Sequence, residues 1–222
     1  KNQYLHLAAA NRIGDIPELE VIHLGDAINV QVMSDVPRRQ PPLKPFVLYV
    51  SSIEARKNHR VLFNAWSEAI ERGIELPDLI CVGMRGWGVS DLLADYDANK
   101  SLQRHVHLLS DISDSALYEL YETALFCVFP SFAEGWGLGA AEAMAHRKMC
   151  LISTAAALQE ATRGMMPVLD ANDPAGWLNA IQEYARGDGP RAELEALIRS
   201  RFVPKSWGAF AQEFFTFAGA AV

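Results

Sequence analysis

Five short apolar runs, each followed by a stretch able to form a helix, constrain this chain more than any other feature of its sequence. The runs are expected as strands at 46–51, 78–83, 105–109, 125–129 and 149–153. Helices are expected between them over about 57–72, 88–98, 114–123 and 138–146. Asp173-Pro174 looks like an N-cap followed by proline in the first turn, opening a helix to about Arg186. Asp188-Gly189-Pro190 then breaks the chain before two more helices. Alternating β and α elements predict a parallel, doubly wound α/β sheet of about six strands. Ahead of it, Glu18–Leu24 reads as a further strand stopped by Gly25-Asp26, and residues 31–45, with Pro37, Pro41, Pro42 and Pro45, read as a linker.

The segment Pro130-Ser-Phe-Ala-Glu-Gly-Trp-Gly-Leu-Gly-Ala-Ala-Glu-Ala-Met-Ala145 carries the chemistry. It follows the apolar run Ala124–Phe129 and passes through Gly135 and Gly137 into helix-forming residues, so it reads as strand, glycine turn, helix. On one continuous helix Glu134 and Glu142 would lie about 80° apart around the axis. With Glu134 held in the turn, both can face the space above the strand's C-terminal end, where ligands of open α/β sheets sit. The helix N-terminus offers free N–H groups and partial positive charge to an anion. Carboxylates beside an anion site suit hydroxyls, since each accepts up to about four hydrogen bonds. An anion flanked by hydroxyls describes a nucleotide-sugar. Spacing alone equally allows a solvated loop charge at Glu134 and an ordinary surface residue at Glu142.

Composition narrows the classes. The 222 residues fit one large domain or one and a half small ones. Twenty-seven acidic against twenty basic residues give a formal charge of −7, against the basic excess of a nucleic-acid binder. No apolar run approaches the roughly 18–20 residues that span a bilayer. The start at Lys1 shows no signal-peptide pattern, so nothing local implies export. Cys81, Cys127 and Cys150 each sit in an apolar run without a C-x-x-C, which reads as buried free thiols in a reducing compartment.

The Pro130–Ala145 segment resembles the E-x7-E signature of retaining glycosyltransferases of family 4, P-S-x-x-E-G-F-G-L-x-x-x-E-A-M-A, with Trp136 in place of the common Phe. Three further stretches resemble the same family: Phe46–His59 with its basic pair, Leu79–Trp87 ending a strand in glycine, and Val106–Tyr121. Together they cover roughly residues 44–185, and Ser206-Trp207 resembles the family's closing helix. The resemblance implies a Rossmann-like domain that is the donor-binding half of a GT-B fold. On it, residues 1–30 are a remnant of the N-terminal acceptor domain, 31–45 the linker, 46–204 the nucleotide-sugar domain and 205–222 a C-terminal helix.

By that resemblance Lys57, with Arg56 beside it, binds the donor diphosphate; two cations there would stabilise charge developing on the leaving group. Glu142 is expected to hold the ribose hydroxyls and Glu134 to face the transferred sugar, so Glu134 and Lys57 are the catalytic candidates. Backbone N–H groups of Trp136, Gly137 and Leu138 would meet sugar hydroxyls and phosphate, and Gly83 would approach the nucleotide. Arg85 at the same rim reads equally as a surface charge, Ser110 and Asp111 lie where the family places base contacts, and His107 reads as structural.

The implied activity is retaining transfer of a hexose, mannose-like favoured, from a GDP- or UDP-linked sugar to a hydroxyl acceptor, saccharide or lipid-linked saccharide. Lys57 with the helix terminus can stand in for a cation, so no metal and no cofactor are expected. The implied setting is cytoplasmic, with peripheral membrane association through the missing half, and no nucleic-acid partner. A non-catalytic nucleotide-sugar-binding module and a GT-B nucleotide-sugar epimerase are the alternatives. Departures from the family pattern are Ser51-Ser52 where Gly-Arg or Gly-Thr is usual, His146–Ile152 without the usual glycine and proline, and a diverged Gln159–Met166.

Overall fold

A computed structural model describes residues 2–11, 19–26, 44–187 and 189–220. The chain divides into two compact units, one of residues 1–27 with 205–222 and one of residues 28–204. In the smaller unit, α1 spans Asn2–Ala10. The strand expected at 18–24 does not form over its described part: residues 19–26 take no regular structure. A strand needs a neighbour to pair with, and the two elements described in this unit, Asn2–Ala10 and Trp207–Ala220, are both helical.

The larger unit is the alternating one. Its strands are β1 (Phe46–Val50), β2 (Asp78–Val82), β3 (Val106–Leu109), β4 (Phe126–Phe129), β5 (Cys150–Ser153) and β6 (Val168–Leu169). Between and after them run α2 (His59–Glu71), α3 (Ser90–Ala98), α4 (Asp114–Thr123), α5 (Leu138–Ala145), α6 (Ala156–Ala161), α7 (Pro174–Ala185) and α8 (Pro190–Arg201). All pairings are parallel and the order is β3-β2-β1-β4-β5-β6. The Rossmann-like α/β sheet expected from the sequence is therefore present. Neither β6 nor α6 was legible in the sequence, because two residues and six residues are too short for a periodicity to show.

Burial follows this topology. Every residue of β4 and β5 is buried, as helices on both faces of a parallel sheet require. Cys81, Cys127 and Cys150 lie in three of these strands as buried free thiols. On α2 the residues Val61, Leu62, Ala65, Trp66 and Ala69 turn inward, and the helix packs against α7. Asp173 caps α7 through its carboxylate, which accepts the Gly176 N–H at 3.0 Å.

The strand order matters most for function. From β1 the chain runs outward through β2 to β3, then returns to place β4 against β1's other edge. Loops leaving β1 and β4 consequently diverge to opposite faces, opening a crevice at their C-terminal ends. That crevice lies between the loop carrying Arg56-Lys57 and the loop carrying Glu134.

The smaller unit closes with α9 (Trp207–Ala220). Within that unit the Asp26 carboxylate accepts the Lys205 N–H, and a Cβ on Gly25 would lie 2.8 Å from the Trp207 ring. Gly25-Asp26 thus serves as the seat of Trp207. Among the described residues no helix is long and apolar enough to cross a membrane.

Candidate functional site

The β1 loop is built to hold two cations in place. It is laced to the β2 loop by backbone bonds from Ile53 to Met84 (2.8 Å), Gly86 to Ile53 (2.9 Å) and Ala55 to Trp87 (3.2 Å). At Gly83 a Cβ would sit 2.0 Å from the Ser51 carbonyl oxygen, so contact between these two loops already requires glycine there. A short 3-10 turn, Ala55–Lys57, then presents Arg56 and Lys57. Asn58 ends it with φ 55, a left-handed conformation that asparagine tolerates better than most residues. Its buried Nδ2 donates to Pro130 O at 3.1 Å and to Ala171 O at 2.7 Å, tying the β1 loop to those after β4 and β6. From below, the buried Tyr49 hydroxyl donates to Lys57 O at 2.6 Å, and burial pushes its pKa well above the usual tyrosine value.

Beneath that turn His59 is 1% exposed, packed on Tyr49 with ring centroids 4.5 Å apart. Neither ring nitrogen has a hydrogen-bond partner among the described residues. Burial, with the nearby Lys57 charge adding to it, lowers its pKa to about 3. The imidazole is neutral, and the positive charge over this strand comes from Arg56 and Lys57.

On the β4 side the chain turns at Gly137, whose φ of 94 favours glycine. A Cβ there would also lie 3.0 Å from a Leu158 methyl. The turn sets the first N–H groups of α5 at the head of the cleft. Glu134, with its side chain 8% exposed, accepts from Lys57 Nζ at 2.7 and 2.9 Å, Arg56 Nη1 at 3.0 Å and Ser131 Oγ at 2.7 Å. Arg56 also reaches Glu54 through Nε at 3.1 Å and Ala133 O through Nη1 at 3.2 Å. Glu54's pKa is lowered, first by the Ser52 hydroxyl bond and then by the charges of Arg56 and Lys57.

Glu142 stands one helical turn into α5, and its Oε2 accepts from the Tyr121 hydroxyl at 3.1 Å. Burial raises its pKa above the usual glutamate value, with the Tyr121 bond opposing the shift. Tyr121 is itself held by a stack on His146, centroids 4.7 Å apart and planes 7° apart, and His146 Nδ1 meets Glu122 at 2.8 Å.

A cleft of about 310 Å³ brings together Lys57, Glu134, Trp136, Gly137, Leu138 and Glu142, with Val50, Phe129 and Leu158 as its apolar wall. Arg56 reaches it through Glu134, whereas Gly83 is not among its lining residues. Ser110 and Asp111 are exposed beyond β3, two strands from β1, and Arg85 makes a 3.9 Å surface contact with Asp97. His107 Nε2 meets Asp78 Oδ2 at 3.1 Å, away from the cleft. Sequence reasoning missed Tyr49, Tyr121 and Ser131, and it gave Asn58 no structural role. Tyr49 looks like an ordinary core aromatic in an apolar run and Tyr121 like one on an amphipathic helix, and only their partners in the fold mark them. Among the described residues no group of three or more His, Cys, Asp or Glu side chains is arranged to hold a metal ion.

Comparison with known proteins bears on the family and the fold. Residues 44–186 match the family model described as Glycosyl transferases group 1. The chain is 28% identical over 153 residues to the serotype-specific mannosyltransferase WbdA of Escherichia coli, covering 67% of this chain and 19% of that protein. It is 33% identical over 129 residues to the O-antigen chain mannosyltransferase B of Escherichia coli, covering 58% of this chain and 33% of that protein. Among solved structures, sucrose-phosphate synthase (tll1590) from Thermosynechococcus elongatus superposes with a TM-score of 0.68 at 21% identity. That superposition covers 99% of this chain and 56% of the other. At that identity it speaks to the fold alone, which is one half of the GT-B arrangement. The chain spans well under two thirds of the length of these relatives.

Proposed function

The chain belongs to the group 1 glycosyl transferases, and on that premise we propose that it is the donor-binding half of a retaining hexosyltransferase. The observation that carries this reading is the convergence of two cations, two carboxylates and the α5 N-terminus on one cleft at the topological switch point. Lys57 and Arg56 are the groups for a diphosphate leaving group, and the α5 N–H groups add partial positive charge without a metal. Glu142, part-buried and aimed by Tyr121, is the acceptor for ribose hydroxyls. Glu134 is the acceptor for hydroxyls of the transferred sugar.

GDP-mannose is the donor we favour; the Arg56-Lys57-Asn58 form and the likeness to two mannosyltransferases support it. The acceptor is a saccharide or lipid-linked hydroxyl bound by a second domain, through which the enzyme also meets the cytoplasmic face of a membrane. This chain by itself is then a donor binder that transfers sugar poorly, because the reacting groups must be held together in a closed cleft.

A calorimetric screen of the chain against GDP-, UDP- and ADP-sugars tests the reading. GDP-mannose should bind most tightly, and Lys57→Ala should weaken every donor. Absence of binding by all of them at millimolar concentration would refute it.

A further inference from the structure

We infer that Glu134 is a stand-in anion: without donor, its carboxylate occupies the two cations a diphosphate needs, and donor entry exchanges one anion for the other. This rests on the donor-site reading above and adds an order of events to it.

Occupancy is the first support. Lys57 Nζ meets both carboxylate oxygens of Glu134, at 2.7 and 2.9 Å, and Arg56 divides its N–H groups between Glu134, Glu54 and Ala133 O. With the Ser131 hydroxyl at 2.7 Å, Glu134 accepts four hydrogen bonds. An ionised carboxylate has about four acceptor sites, so none is left for a sugar hydroxyl. Each half of the donor therefore finds its place taken: the diphosphate by Glu134, the sugar by Lys57 and Arg56.

Charge is the second support. Arg56 and Lys57 contribute +2, Glu54 and Glu134 contribute −2, and the resting loop is neutral. A diphosphate arriving while Glu134 stayed in place would set a second anion beside a carboxylate that is only 8% exposed. Like charges in so little solvent repel strongly. Once the diphosphate has taken the cations, the Glu134 carboxylate is released with acceptor sites open to the sugar hydroxyls beside it.

The consequence is selectivity for the intact donor. A free nucleoside diphosphate must break the Glu134 contacts and offers that carboxylate nothing in return. A nucleotide-sugar breaks the same contacts and supplies new hydroxyl donors. The exchange therefore favours substrate entry over retention of the diphosphate product.

The test is titration of the chain with inorganic pyrophosphate, with GDP, UDP and ADP, and with the GDP, UDP and ADP conjugates of mannose or glucose. Glu134→Gln should bind pyrophosphate and the preferred nucleoside diphosphate about tenfold more tightly than wild type. Its preference for the sugar conjugate over the free nucleoside diphosphate should collapse toward one. Ser131→Ala, which loosens the same carboxylate without removing it, should shift both quantities in the same direction by about threefold. If Glu134→Gln fails to fold, Ser131→Ala decides the matter. Unchanged or weakened diphosphate binding in the folded variants overturns the exchange while leaving the donor site standing, provided that wild type binds and Lys57→Ala does not. No binding by wild type, or full binding by Lys57→Ala, overturns the donor-site reading and the exchange with it.

Discussion

His59→Phe should remove a defined share of this protein's sensitivity to acid. The imidazole is 1% exposed and its pKa is lowered from 6.5 to about 3, chiefly by burial. Below pH 6.5 the unfolded chain takes up a proton at this position while the folded chain does not until about pH 3. Stability is therefore full above that upper value and declines as pH falls through the window between the two. Each pH unit inside the window costs about 1.4 kcal/mol, so a drop to pH 5 removes about 2 kcal/mol. Phenylalanine preserves the aromatic contacts with Tyr49 and Phe63 and carries no titratable group. Urea unfolding of both proteins at pH 7.5 and pH 5 gives the comparison, since carboxylates common to both cancel in the double difference. The expected outcome is a wild-type loss about 2 kcal/mol larger than that of the variant. Equal losses would mean that the buried imidazole titrates normally, or that the site opens to solvent before the fold is lost.

Other perturbations probe the site directly. Glu142→Gln keeps the shape of the ribose acceptor but removes its charge, and a hydrogen bond to a charged group contributes about 1.5–3 kcal/mol. Nucleoside diphosphate affinity should therefore fall about ten- to hundredfold by calorimetry. Because burial raises the Glu142 pKa, wild-type affinity should weaken as pH falls through that raised value, and the Gln variant should lack this dependence; parallel pH profiles would count against the assignment. Asn58→Ala leaves two buried carbonyls without their donor and puts a Cβ residue without a polar side chain at φ 55. A loss of about 2–4 kcal/mol in urea unfolding is expected, against which a change under about 0.5 kcal/mol would speak. Asn58→Gly should fall between, since it relieves the backbone but not the lost bonds.

Much of the architecture was legible from residues alone, for local reasons. Strands β1 and β4 announce themselves as unbroken apolar runs because the interior of a parallel sheet covered on both faces wants apolar side chains, and β2, β3 and β5 as runs broken only by Asp78, His107 and Ser153. The turn at Gly137 and the cap at Asp173 follow from backbone chemistry that single residues dictate. The pairing of Glu134 and Glu142 with a helix N-terminus could be read from spacing once a strand and a turn were assigned before them. What the chain could not announce is whatever depends on partners distant in sequence. Glu18–Leu24 reads as a strand by composition, but pairing is a property of two segments, and among the described residues none forms a ladder with 19–24. Tyr121 and Asn58 look like a core aromatic and a loop amide; Tyr121 gains its role from the packing of the helices that flank β4, and Asn58 from the return of β4 beside β1. The Lys57–Glu134 pair is the sharpest case. Each residue could be assigned a ligand from sequence, but only the tertiary structure assigns them to each other, since these charges, 77 positions apart, meet because β4 lies beside β1.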